Sequence, residues 1–174
     1  MIYSIYFSAL LALMTPQADS SPTLTDAIAE LESYLPLMEE QRSSVSSVSV
    51  AWHLDHSLKV ILRVYESLPQ KTGLQLNFSR SYMFISGSIP RGRLKSPAAV
   101  LPPSVITEEA INQQLTEARA CLQAWSTLED DLYFEHAVVG KMNTKKTLRF
   151  LEIHTEHHLK IIRDILREDQ PDNG

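Results

Sequence analysis

Apolar residues recur at intervals of three and four along four stretches of the chain, a spacing that places them on one face of an α-helix. The first stretch predicts a helix over residues 23–41, which Pro36 is expected to kink or split because proline removes a backbone donor. The second stretch predicts a helix from Val50 to Leu68, directly before Pro69. The apolar stripe of this second helix consists of Val50, Leu54, Leu58, Ile61 and Tyr65.

The third and fourth stretches predict two more long helices. Thr107 begins the third helix, which runs to about residue 128. Asn143 or Thr144 caps the fourth helix, which runs to about Arg167. The fourth helix has the most regular pattern in the chain, and two histidines lie on its otherwise aliphatic line, which consists of Leu151, His154, His158, Ile161 and Ile165.

The helical pattern breaks over residues 69–106, where five of the nine prolines lie. We interpret this segment as a long crossover between helices two and three, ordered in part, with a short helical turn or strand at 81–86. Residues 129–142 are interpreted as a short link. Four amphipathic helices with one long crossover predict an all-α fold, a four-helix bundle. It would span residues 23–168, between an N-terminal extension over residues 1–22 and a polar tail over residues 169–174.

Composition narrows the class of protein. A chain of 174 residues suits one domain, and a net charge of -5 argues against a nucleic-acid partner. The single cysteine, Cys121, excludes an intramolecular disulfide, fits a reducing, cytoplasmic setting and is expected to be a buried, inert thiol. The first fourteen residues are apolar without Lys or Arg and are too short to span a membrane. An upstream start or a docked extension is preferred there over a weak signal peptide.

The histidines of the fourth helix are the candidate chemistry. His154 and His158 are one turn apart, so both rings project from the same side and can bind one metal ion. A third ligand would come from His53 or His56 on helix two, and the helical wheel mildly favours His53. A zinc-protease motif requires Glu directly after the first histidine, where this chain has Thr155, so a metalloprotease is disfavoured.

Two short motifs resemble the DinB/YfiT-like superfamily. Trp52 and His56 match its W-x-x-x-H pattern, and His154 and His158 match its H-x-x-x-H pattern on the last bundle helix. The resemblance covers most of residues 23–168. It implies a four-helix bundle with a three-histidine divalent metal site whose ligands are His56, His154 and His158, with His53 as the alternative to His56.

The superfamily includes metal-dependent thiol transferases, such as bacillithiol-linked enzymes and maleylpyruvate isomerases, and the resemblance implies no DNA binding. The chain departs from its better-known members because Leu159 and Lys160 stand where an Arg-Gly-Gln continuation is expected. Residues 134–140 resemble a loop of an uncharacterised branch, in which His136 either approaches the site or forms a structural hydrogen bond.

These observations lead to two alternative functions. The first is an enzyme with zinc, nickel or ferrous iron, which would lower the pKa of a water or of a low-molecular-weight thiol. It would act on a small molecule as a hydrolase or a thiol transferase, with Asp55 either as a base or on the solvent face. The second is a non-catalytic metal- or ligand-binding bundle or a dimeric interaction protein, and a homodimer is a possible assembly in either case. No membrane partner is expected.

A short basic run in the crossover has two interpretations. Its residues, Arg91, Arg93 and Lys95, are either solvated loop charges or a cover over the open end of the bundle that holds an anionic substrate.

Overall fold

Four long helices and a two-stranded sheet make up most of the described chain. The computed structural model describes residues 23–68, 83–91, 96–130, 132–136 and 140–167. The predicted N-terminal extension, the polar tail, Arg93, Lys95 and part of the crossover lie outside these residues. Helix α1 spans Leu24–Ser33, α2 spans Val50–Ser67, α3 spans Glu108–Trp125 and α4 spans Thr144–Leu166.

The ends of these helices follow from local chemistry. Thr23 accepts a hydrogen bond from the backbone of Asp26, whose carboxylate accepts one in return, so a capping box begins α1. The predicted extent of this helix, residues 23–41, was too long. Helix α1 ends at Ser33, and Pro36 lies in a separate 3₁₀ turn, Leu35–Leu37, because proline cannot donate the next helical hydrogen bond. Asn143 caps α4 by accepting a hydrogen bond from the backbone of Lys146.

The core lies between the helices. Helices α1 and α2 each pack against both α3 and α4, so the apolar stripes of all four helices face inward. The largest side chains that are almost completely buried on these helices are Ile28, Leu31, Leu54, Leu58, Ile61, Ile111, Leu115, Leu151, Leu159 and Ile162. The chain is mostly helical, as predicted from its periodicity.

A small antiparallel sheet occupies the segment that was interpreted as a link. Strand β1 spans Tyr133–His136 and strand β2 spans Gly140–Asn143, and Phe134 pairs with Met142. Gly140 has a φ of 70°, a conformation that costs glycine little and other residues more. Strands of four residues are too short to give a clear alternation of apolar and polar positions, which explains why the pattern did not reveal them.

Two further features of the fold are the helical turns of the crossover and an ion-pair cluster between α1 and α4. In the described part of the crossover, residues 83–86 are helical, and Ala98–Val100 forms a 3₁₀ turn that packs against α2. Arg163 of α4 forms hydrogen bonds of 2.6 Å to both carboxylate oxygens of Glu30 on α1 and a third, of 2.9 Å, to Glu156. Among the described helices, none is long and apolar enough to cross a membrane.

Candidate metal centre

Three histidines meet where α2 faces α4. His56 comes from α2, and His154 and His158 come from α4, and each offers a ring nitrogen such that the three nitrogens lie within 4.8 Å of one another. His56 and His158 are buried, with 2% and 7% of their surface exposed, and His154 is half-buried. Such a group could hold one metal ion once the rings rotate slightly toward one another, because two nitrogens that are each about 2.0–2.1 Å from one ion lie at most about 4.2 Å apart.

Helix geometry explains how the three rings converge. His154 and His158 are four residues apart on α4, and their ring centroids are 4.7 Å apart. The ring of His56 lies 5.3 Å from that of His154 and 4.8 Å from that of His158. Packing of α2 against α4 therefore brings the third imidazole to a pair that one helix already presents.

Contacts from α2 and from the crossover orient His56. Its Nδ1 lies 2.8 Å from the backbone carbonyl oxygen of Val100, which can only accept, so the ring proton belongs on Nδ1. The lone pair of Nε2 then faces the hydroxyl of Ser96 at 3.4 Å, a long contact that a metal ion could replace. Trp52 stacks on the same ring, with centroids 4.8 Å apart and planes 23° from parallel. A carbonyl partner of this kind is what a metal-binding histidine usually has on its other nitrogen.

His53, the alternative third ligand, lies beside the group rather than in it. Its Nδ1 is 3.0 Å from Nδ1 of His158, and its Nε2 is 3.0 Å from Oγ of Ser46. Both ring nitrogens of His53 therefore have partners within the protein. Both nitrogens of His56 have partners too, so a free nitrogen does not distinguish it from His53. What distinguishes it is that His56, and not His53, belongs to the three-histidine group.

One ring nitrogen of His154 lacks a protein partner within the described part of the chain. Its Nδ1 is buried and has no hydrogen-bond partner among the described residues. A buried polar atom without a partner costs about 1–3 kcal/mol, so such atoms usually have a reason. Three imidazoles, with an unpartnered nitrogen among them, form a donor set that suits zinc, nickel, copper or iron. The residues present therefore fit a divalent transition-metal ion.

The environment keeps these rings in the form that binds metal. Burial lowers the pKa of His154 and His158 well below the ordinary value, and neighbouring histidines lower both further. Burial also lowers the pKa of His56, although the hydrogen bond to Val100 opposes this effect. Metal binding requires the neutral imidazole, so these shifts remove competition from protons at neutral pH.

His136 and His157 lie near the group without joining it. The ring of His136 is 5.1 Å from that of Phe150, which in turn is 5.8 Å from that of His154. His157 is half-buried and lines a cavity of about 90 Å³ together with Arg91 and Lys160. The basic run is described only at Arg91.

Asp55 was expected either on the solvent face or as a catalytic base, and the solvent-face alternative is wrong. Only 1% of its surface is exposed. Lys59 lies 2.7 Å from one of its carboxylate oxygens, and the side chain of Gln114 on α3 donates to the other at 2.9 Å. A carboxylate with both oxygens engaged in this way stabilises the packing of α2 on α3 and is poorly placed to accept a proton from a substrate.

Cys121 is half-buried rather than fully buried. Burial raises the pKa of its thiol, and the carboxylates of Glu117 and Glu66 raise it further. An inert thiol, as predicted, agrees with this setting because the thiolate is the reactive form.

The sequence did not predict the residues that form hydrogen bonds around the histidine group. Ser46 belongs to a serine-rich run that the sequence presents as a turn, and Val100 contributes only its backbone carbonyl. No residue type or spacing marks a backbone carbonyl as a hydrogen-bond partner, so only the folded chain could reveal Val100. The one sequence signal for the contact between Ser46 and His53 was their separation of seven residues, which places a serine within reach of a buried histidine.

The chain matches no protein-family model, no curated protein and no solved structure.

Proposed function

We propose that the protein binds one divalent metal ion through His56, His154 and His158. The observation that carries this proposal is the convergence of three ring nitrogens, from two helices, to within 4.8 Å of one another. The unpartnered Nδ1 of His154 and the carbonyl partner of His56 support it. Zinc, nickel and ferrous iron are the candidate ions, because imidazole nitrogen suits each of them.

The proposed activity is that of a hydrolase or a low-molecular-weight thiol-dependent transferase acting on a small molecule. Three protein ligands leave a tetrahedral or larger coordination sphere incomplete, the pattern of catalytic rather than structural zinc sites. A bound ion would supply Lewis acidity toward a water or a thiol. Trp52 stacks on His56 and covers one face of that ring. The resemblance of the two histidine motifs to the DinB/YfiT-like superfamily, with its four-helix bundle, supports the same assignment.

A second candidate is a bundle that binds a metal without turnover. The observation that favours it is the state of Asp55, the acidic residue next to His56 in the chain, because both of its oxygens are engaged by Lys59 and Gln114. The three-histidine group itself contains no carboxylate. A catalytic function would then depend on the substrate or on a water for proton transfer.

Metal analysis of protein purified without added metal tests whether the protein binds an ion through these histidines. We expect about one equivalent of metal in the wild-type protein. The metal should be lost in each of three variants, His56→Ala, His154→Ala and His158→Ala. His157→Ala is the matched control, since this residue is a direct neighbour of His158 but lies outside the group, and it should retain the metal. Full occupancy in any one of the three ligand variants would refute the ligand assignment.

Turnover is tested on the metal-loaded protein. A panel of activated esters and of thiol-conjugation reactions would be compared between the wild type and His154→Ala. Activity that depends on His154 and on added metal supports the enzyme, whereas stoichiometric metal without any metal-dependent turnover across the panel favours the binding bundle.

A further inference from the structure

Two hydrogen bonds form a chain that leads from His158 through His53 to the loop before α2. Nδ1 of His158 lies 3.0 Å from Nδ1 of His53, and Nε2 of His53 lies 3.0 Å from Oγ of Ser46. Both rings are buried, with 7% and 4% of their surface exposed. Two nitrogen lone pairs would repel each other at this distance, so one proton lies between the two Nδ1 atoms.

Two arrangements of protons satisfy this chain. In the first, His158 donates from Nδ1 to His53, and His53 donates from Nε2 to Ser46, so Nε2 of His158 has a free lone pair. In the second, His53 donates to His158, whose own proton then lies on Nε2 and prevents that nitrogen from binding a metal. Only the first arrangement is compatible with a ligand role for Nε2 of His158.

Ser46 can support the first arrangement. Its hydroxyl oxygen already accepts the backbone N–H of Val48, at 3.2 Å, and a hydroxyl oxygen has a second lone pair to offer to His53. Because Ser46 is only half-buried, its own proton can be donated to solvent. No buried donor is therefore left unpaired when His53 donates to Ser46.

We propose that His53, held by Ser46, is a positioning residue for the metal centre. It accepts the Nδ1 proton of His158 and so keeps the Nε2 lone pair of that ring available for a divalent ion. This inference rests on the proposed metal site and adds a residue to it. Val100 does the same for His56 through a carbonyl that can only accept. His53 differs because an imidazole can also donate, so metal binding selects the direction of the chain from His158 to Ser46.

Two substitutions of similar size separate hydrogen bonding from packing. In His53→Asn the side-chain oxygen takes the position of Nδ1, relative to Cγ, and can still accept the proton of His158. In His53→Leu the shape is similar but no acceptor remains. Removal of a partner of a ligating histidine typically weakens metal binding by about 10- to 100-fold. We expect a loss of that size for His53→Leu, recovery of most of the affinity in His53→Asn, and a smaller loss for Ser46→Ala.

The readout is the affinity for zinc, measured by competition with a chelating dye, with circular dichroism to verify that each variant is folded. The matched control is the pair His157→Leu and His157→Asn, because this neighbouring half-buried histidine lies outside the three-histidine group. Both control variants should bind zinc as the wild type does. Nitrogen-15 NMR of the zinc-loaded wild type adds a test without any substitution, since it reports which imidazole nitrogen carries the proton. We expect it on Nδ1 of His158 and on Nε2 of His53.

Each outcome decides the proposal. If the wild type binds zinc and His53→Leu binds it equally well, the positioning role is wrong and the metal site stands. If His53→Asn is as weak as His53→Leu, packing rather than proton acceptance explains the loss, and the proposal is also overturned. A proton on Nε2 of His158 in the zinc-loaded protein overturns it as well. If the wild type binds no zinc, nickel or iron, the proposed function and this inference fail together.

Discussion

Acidification should destabilise the metal-free protein between pH 6.5 and pH 5, because its buried histidines are held neutral. Burial, and to a lesser extent the charges of His56, His157 and Arg91, lowers the pKa of His53 from 6.5 to about 4. In this window the unfolded chain binds a proton at His53 that the folded protein does not bind. The folded state therefore loses stability as the pH falls, and this loss is absent above pH 6.5.

The expected magnitude follows from proton linkage. One proton of difference changes the free energy of unfolding by about 1.4 kcal/mol per pH unit, so His53 alone accounts for about 1.5 kcal/mol between pH 6.5 and pH 5. His154 and His158, whose pKa is also well below the ordinary value, act in the same direction. Carboxylates such as Glu30, whose pKa is lowered from 4.5 mainly by its hydrogen bond to Arg163, destabilise the fold only at lower pH. The window thus isolates the histidines, and the change is a sizeable part of the about 5–15 kcal/mol that stabilises a typical domain.

The assay is urea unfolding at a series of pH values in a buffer that contains a chelator, followed by far-ultraviolet circular dichroism. The slope of unfolding free energy against pH should be smaller in His53→Leu than in the wild type by about one proton, or about 1.4 kcal/mol per pH unit. Thr155→Val is the control, since it changes a buried residue of the same region that does not titrate, and its slope should equal that of the wild type. An equal slope in His53→Leu and the wild type would refute the reasoning, because His53 would then be protonated in the folded protein as readily as in the unfolded chain.

Three further outcomes are expected. Arg163→Met should lower the free energy of unfolding by about 1 kcal/mol, because it leaves the partly buried Glu30 without its cation and Glu156 with only Lys160, 3.8 Å away. Arg119→Met, at an exposed pair with Glu32, should cost about 0.5 kcal/mol or less in the same urea experiment, and equal losses would contradict this reasoning. Thr155→Val should stabilise the protein by about 1 kcal/mol, because the Thr155 hydroxyl is buried with no hydrogen-bond partner among the described residues. A marked loss of stability would show that the hydroxyl has a partner. Cys121 should be alkylated by iodoacetamide more slowly than free cysteine, because burial raises the pKa of its thiol. Mass spectrometry follows the reaction, and a rate equal to that of free cysteine would contradict this expectation.

The helices could be predicted from the sequence because their signal accumulates. A stripe such as Val50, Leu54, Leu58 and Ile61 repeats over several turns, and proline marks where the pattern must stop. The hairpin at 133–143 could not be predicted in the same way, since each strand has only four residues. Its stability comes from contacts outside the strands, such as that between the rings of Phe134 and Phe150.

In the candidate site, too, one part follows from local sequence and another part depends on distant residues. The pair His154 and His158 is a property of one helix, and its spacing alone predicts that the two rings project together. His53 and His56, by contrast, are three residues apart and lie on the same side of α2, so periodicity separates them only weakly and gives a mild preference for His53. Their different positions are set by partners far away in the chain, the carbonyl of Val100 for His56 and the ring of His158 for His53.

Asp55 was misjudged for the same reason. It interrupts no stripe and resembles a solvated charge in the sequence, but Gln114, which is 59 residues away, reaches it from α3. A buried carboxylate is tolerated when its oxygens are paired, and the pairing depends on how two helices pack rather than on local sequence.

The central claim is that three imidazoles hold one divalent ion, and X-ray absorption spectroscopy of the zinc-loaded protein tests it most directly. We expect three imidazole nitrogens at about 2.0–2.1 Å from zinc in the wild type. The His56→Ala variant, which loses its metal during purification, should show two when it is reloaded with one equivalent of zinc at the high protein concentration of this measurement. Fewer than three imidazoles in the wild type, or three that persist in His56→Ala, would contradict it.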